Sequence, residues 1–169
     1  PLGWNMLVEA LEQDDALAKT FFGHVISLAY GSAAMPESTY ERLQALLVKY
    51  QGARRAMSTS LMSTEVAVGL SRYWPCEDQT VVGLPMPGAR FKLLPVGDRF
   101  EIRVKGSGVT PGYVNDPDRT AEAFDEDGFF KMGDAVTFAD PKRPEAGLRF
   151  AGRIAEQFKL VTGTWVSAG

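Results

Sequence analysis

The sequence predicts an α/β layer followed by a β-rich part, and three observations carry that assignment. Up to about residue 58, apolar residues recur at helical spacing around one short apolar run. After Gly83 the period shortens to alternation, broken every few residues by Gly, Pro and Asp turn signals. Apolar residues make up 45% of the 169 positions, enough to fill the core of one ordinary domain, which argues against disorder.

Taking the elements in order, Leu7, Val8, Leu11, Leu17, Ala18 and Phe22 recur near helical spacing between Asn5 and Phe22. Asp14 and Asp15 interrupt the pattern and offer a second N-cap, so one long or two short helices are expected. Val25 to Tyr30 is β-branched at its start and apolar on both faces, as a strand buried in a parallel sheet is. Small residues from Gly31 to Ala34 make a loop. Pro36 then suits the first turn of a helix with Tyr40, Leu43, Leu47 and Tyr50 on its apolar face and Gly52 as its stop. In the second part Phe100, Ile102 and Val104 alternate with Arg99, Glu101, Arg103 and Lys105, a half-exposed antiparallel strand. Gly97-Asp98 is a hairpin turn back to Phe91–Leu94. Asp116-Pro117 caps a brief helix to Ala123, and residues 125–128 form a turn. Further short strands are expected at 135–138, 148–150 and 158–161, giving a small barrel or curled sheet. No internal repeat or low-complexity tract is present.

Composition excludes several functions. The net charge is -3 and the Lys and Arg residues are scattered, so no basic footprint for nucleic acid or an anionic membrane exists. A single cysteine, Cys76, rules out an internal disulfide and fits a reducing, cytoplasmic setting. No run approaches the roughly 20 apolar residues of a membrane-spanning helix. Glu9, Glu12, Asp14 and Asp15 near the start do not make a secretory signal. A chain beginning at Pro1, without Met, reads as an internal fragment of something longer.

Six segments occur in a telling order: YGSAAMP (Tyr30–Pro36), STSLMSTE (Ser58–Glu65), GLPMPG (Gly83–Gly88), VTPGY (Val109–Tyr113), Gly133-Asp134 and GRIAEQFKLVTGTWVS (Gly152–Ser167). Together they resemble the adenylate-forming, AMP-binding superfamily of acyl- and aryl-CoA synthetases, with the closest look to feruloyl-CoA synthases. The resemblance implies a partial large domain, an incomplete α/β layer plus a small distorted β-barrel. Residues 1–80 would be the C-terminal part of its α/β subdomain, 81–153 the β-rich subdomain, and 154–169 the hinge and start of a C-terminal domain. It also implies an upstream Ser/Thr/Gly-rich triphosphate loop and a downstream catalytic lysine, without which this chain alone is expected to be inactive.

The same resemblance assigns site residues. Thr64 and Glu65 fall on the Thr-Glu of an aromatic-Gly-x-Thr-Glu motif and would be the catalytic pair. A hydroxyl beside a carboxylate can meet a phosphate oxygen and Mg²⁺ together, with Glu65 as the metal ligand. Read alone, such a pair is a helix N-cap. Leu61 and Met62 replace the motif's aromatic residue and glycine, removing an adenine stack and adding bulk beside the nucleotide. Asp134 would take the ribose hydroxyls from a partly exposed position, or be a turn residue after Gly133. Arg153 would hold ribose or phosphate oxygens, or be a strand-end charge paired with Glu156. Ala155 stands at the interdomain hinge, and Phe150 either walls the adenine or packs in the core. Backbone groups of Ser32, Ala33 and Ala34 would approach adenine and the substrate carboxylate. His24 matches no motif residue and is read as structural. Thr64, Glu65, Asp134 and Arg153 are expected to share one cleft.

ATP, Mg²⁺ and coenzyme A are the cofactors implied, with an aromatic, hydroxycinnamate-like acid as substrate. That acid would be activated as acyl-AMP and passed to the CoA thiol. The alternatives are a non-catalytic remnant or interaction module of the same fold, and the adenylation domain of a nonribosomal peptide synthetase or another adenylate-forming enzyme.

Overall fold

The computed structural model describes residues 2–31, 33–155, 157–159 and 165–167. Two compact units emerge, one of residues 1–60 and 72–81, the other of residues 61–71 and 82–169.

The first unit opens with two helices, α1 (Leu2–Gln13) and α2 (Asp15–His24). The break is local chemistry: the Asp14 carboxylate accepts the amides of Ala16 and Leu17 at 3.0 and 2.9 Å, satisfying orphan donors of α2. Strand β1 (Leu28–Tyr30) runs parallel to β2 (Met57–Ser63), with Leu28 opposite Met57 and Tyr30 opposite Thr59. The expected strand over Val25–Tyr30 is thus shortened. Val25 instead closes α2 through its amide to the Phe21 carbonyl, and Ile26 is exposed. Helix α3 (Glu37–Gln51) begins after Pro36 and ends where Gly52 adopts φ 78°, a conformation glycine takes without a Cβ penalty. Leu43 and Leu47 are fully buried on it, each worth roughly 1.5–3 kcal/mol relative to exposure. They join Val8, Leu11, Phe22 and Met57 in one core.

In the second unit the strands follow the order β3-β4-β8-β7-β6-β5. They are β3 (Val66–Arg72), β4 (Val81–Pro85), β5 (Ala89–Val96), β6 (Arg99–Gly106), β7 (Phe130–Phe138) and β8 (Leu148–Arg153). Gly97, at φ 63°, makes the tight β5–β6 hairpin with Asp98. Helix α4 (Pro117–Ala123) is capped by Asp116, whose side chain accepts the Arg119 amide. Beyond β8, β9 (Gln157–Lys159) pairs antiparallel with β10 (Trp165–Ser167). Ile102, Val104, Phe130, Val136 and Leu148 fill the core of this unit, as the alternation in β6 dictates. No described helix is long and apolar enough to cross a membrane.

Candidate nucleotide-binding residues

Asp134 sits in β7 where two irregularities meet. Against β6 the register jumps from Ile102–Asp134 to Arg103–Lys131, and Gly133, at φ 72°, lies inside the extra turn of chain. Against β8 it passes from Asp134–Arg153 to Val136–Phe150, so two steps on β7 face three on β8, where Gly152 has φ 92°. Bulges of this kind re-aim side chains. Here they bring Arg153 Nη1 within 2.8 Å of Asp134 Oδ1. The carboxylate is buried, 4% exposed for the residue, while the guanidinium is half exposed. The expected partly exposed carboxylate is therefore corrected: burial in the sheet and pairing with Arg153 enclose it. Glu156 lies outside the described residues. Phe150 is 36% exposed and absent from the core cluster, so the core-packing alternative does not hold for it.

Thr64 and Glu65 form the two-residue turn between β2 and β3 rather than a helix N-cap, because strand residues flank them on both sides. Thr64 is exposed and Glu65 half-buried. The Glu65 carbonyl accepts the Thr110 amide at 2.7 Å, and Val66 bridges Val109, tying the turn to the VTPGY segment. Tyr113 Oη donates to Glu65 Oε1 at 3.1 Å. The Glu65 carboxyl is held below its ordinary value, chiefly by its own backbone N–H and then by the Tyr113 hydroxyl, partly opposed by desolvation. Among the described residues no three acidic, His or Cys side chains cluster as a metal cage. One ionised carboxylate nevertheless suits Mg²⁺, which takes one or two carboxylates beside phosphate oxygens. Leu61 packs against the core of the second unit, and Met62 is half exposed.

In the first unit, Ala33 and Ala34 are exposed, Ser32 lies outside the described residues, and Tyr30 is buried at the head of the loop. Tyr30 Oη donates to the Gln79 carbonyl at 2.7 Å and accepts from Arg72 Nη2 at 3.2 Å. Burial, the largest influence, raises the Tyr30 hydroxyl above its ordinary value. Arg72 is itself 1% exposed and also reaches the Asp78 carbonyl and Gln79 Oε1. Ala155 is exposed beyond β8. The structure thus brings together Asp134 with Arg153 and Glu65 with Tyr113. Sequence reasoning assigned no role to Arg72, Tyr113 or Arg119. A lone Arg inside the apolar run VAVGLSR is the signal that marks Arg72.

No family model matches the chain. Malformin synthetase mlfA of Aspergillus homomorphus is 34% identical over 137 residues, 71% of this chain and 2% of that protein. A methyl-dioxo-octahydroindenyl-propanoyl:CoA ligase of Rhodococcus jostii is 32% identical over 116 residues, 65% of this chain and 20% of that protein. Among solved structures, a malonyl-CoA ligase complex with methylmalonyl-CoA and AMP superposes with a TM-score of 0.72 at 33% identity, covering 98% of this chain and 35% of that one. Sequence relatives and fold neighbours both support the adenylate-forming acyl- and aryl-CoA ligase superfamily. The fold is that of part of an AMP-binding enzyme domain, also seen in apo MatB from Rhodopseudomonas palustris, with a TM-score of 0.71 at 25% identity over 96% of this chain and 32% of that one. The chain therefore spans about a third of these solved relatives and 2% to 20% of the curated ones named above.

Proposed function

We propose that this chain forms the nucleotide-binding part of an ATP-dependent carboxylate:CoA ligase. The observation that carries the reading is the Asp134–Arg153 pair: an acceptor and a donor fork, 2.8 Å apart, on adjacent strands at the ribose and phosphate positions that the resemblance assigns. A carboxylate accepts and a guanidinium donates, the two kinds of group that ribose hydroxyls and a phosphate oxygen call for. Phe150, exposed three positions before Arg153, offers its ring to adenine. Backbone groups of Ser32, Ala33 and Ala34 are assigned to the nucleotide and the acid by resemblance alone.

In the reaction proposed, a carboxylate oxygen of the acid attacks the α-phosphorus of ATP, pyrophosphate leaves, and acyl-AMP forms. The CoA thiol then attacks the acyl carbon and AMP leaves. Thr64 and Glu65 are the catalytic pair; Glu65 would hold Mg²⁺, which would supply positive charge to offset that on the transferring group. Ala155 is the hinge position, within a terminal segment over 154–169. An aromatic, hydroxycinnamate-like acid is the substrate class, supported by the FKLVTGTWVS ending. Cys76 as the single thiol supports a cytoplasmic setting.

Calorimetric titration of AMP into the chain tests the nucleotide assignment: saturable binding, weakened by Arg153→Ala, is expected, and absence of binding overturns it. Pyrophosphate exchange by the ligase containing this chain tests the substrate, with hydroxycinnamates, long-chain fatty acids and amino acids run side by side. The similarity to malformin synthetase favours one second reading, a peptide-synthetase adenylation domain, which exchange driven by amino acids alone would support.

A further inference from the structure

Glu65 shares with Thr64 the two-residue turn at the β2–β3 hairpin tip, and of the two it is the half-buried one. Besides its own backbone N–H, a partner distant in the sequence holds its carboxylate. Tyr113, 48 positions away, donates its hydroxyl to Glu65 Oε1 at 3.1 Å. Tyr113 is in turn fixed at both ends. Its amide donates to Thr120 Oγ1 at 2.9 Å, and the guanidinium carbon of Arg119 lies 4.1 Å from the centre of its ring. Gly112 completes the seat: at φ 149° it carries no side chain, and a Cβ there would lie 2.5 Å from Thr120 Cγ2 and 2.8 Å from Thr120 Oγ1. The Thr120 hydroxyl donates to the Asp116 carbonyl at 2.7 Å, so the N-terminal turn of α4 anchors the whole arrangement.

We propose that Tyr113, clamped by Arg119 and Thr120, is a positioning residue that aims the Glu65 carboxylate at the magnesium–nucleotide complex. One carboxylate oxygen is engaged by the phenol, which sets the direction the other faces. A cation over the ring face holds the phenol in plane through its attraction to the π-system. A hydroxyl that orients a metal-binding carboxylate acts as outer partners of metal ligands do, and loss of such a partner costs about 10- to 100-fold in metal affinity. This role rests on the assignment of Glu65 to Mg²⁺.

The test measures Mg²⁺-dependent binding of a non-hydrolysable ATP analogue to the chain and to Tyr113→Phe, Glu65→Gln and the double variant. Nuclear magnetic resonance of the Glu65 carboxyl carbon is recorded in the first two. Tyr113→Phe keeps the ring under Arg119 and removes only the hydroxyl. We expect it to weaken the Mg²⁺ dependence by about 10-fold or more, to shift the Glu65 carboxyl signal, and to add nothing once Glu65 is Gln. Glu65→Gln without effect on Mg²⁺ dependence overturns the assignment of Glu65 itself. Glu65→Gln weakened with Tyr113→Phe like the unaltered chain, or the two losses additive, overturns the positioning role alone. Arg119→Lys, which keeps the charge without the planar face, is expected to give a partial loss. If Tyr113→Phe unfolds the chain, an unchanged Mg²⁺ dependence in Arg119→Ala overturns the proposal instead.

Discussion

Replacing Asp134 by Ala tests the proposed ribose role apart from the pairing with Arg153 that the structure shows. The residue is 4% exposed and accepts a charge-assisted hydrogen bond from Arg153 at 2.8 Å. Hydrogen bonds to charged groups contribute about 1.5–3 kcal/mol, but the Arg153 side chain is half exposed, and solvent screening pulls such pairs toward about 1 kcal/mol. A stability loss of about 1–2 kcal/mol is expected, small enough to leave most domains folded. Loss of the ribose hydrogen bonds should weaken AMP binding by about 10- to 100-fold, the equivalent of about 1.5–3 kcal/mol. Urea unfolding followed by circular dichroism gives the first number and calorimetry on the folded variant the second. Asp134→Asn, which keeps shape and loses charge, should fall between. Undiminished AMP affinity in a folded Asp134→Ala chain refutes the ribose role, and undiminished stability refutes a stabilising Asp134–Arg153 pair.

Two further outcomes follow from packing and charge. A Cβ on Gly69 would lie 2.0 Å from the Leu61 carbonyl oxygen, so Gly69→Ala should lower the urea midpoint by the equivalent of about 3 kcal/mol, whereas Gly23→Ala, with open space around it inside α2, should raise stability by about 0.5–1 kcal/mol. Asp125, whose side chain is 6% exposed, accepts from Lys92 and Arg103 at 2.8 and 3.1 Å, and Lys92 first among its partners holds its carboxyl well below the ordinary range. Because the folded value is depressed, this stabilisation is complete above the unfolded value of about 4 and is lost as pH falls through the folded one. Unfolding midpoints should therefore drop on acidification below about pH 4, and Asp125→Asn should flatten that slope; an unaltered slope would count against the pairing.

Signals that act over a few residues were legible without coordinates. Asp14 splits α1 from α2, Gly52 stops α3, Gly97-Asp98 turns β5 into β6, and Asp116-Pro117 starts α4, each because one side chain or one permissive φ settles the local backbone. Strands β2 and β3 were not legible as strands. Ser58 and Thr59 are polar, and their extended form depends on pairing with Ala29 and Tyr30 of β1, which no local pattern records. The residue types of the candidate site were visible in order along the chain. A shared cleft for Asp134 and Arg153 was expected by resemblance, but the contacts were not legible: Asp134 reaches Arg153 through two register shifts, Tyr113 reaches Glu65 across 48 positions, and Arg72 is buried among Tyr30, Asp78 and Gln79. By itself, then, the sequence determined the helices, several turns and the kinds of side chain available for nucleotide chemistry. Tertiary structure alone decided which of them face one another, because strand register and bulges are set by long-range hydrogen bonding and burial.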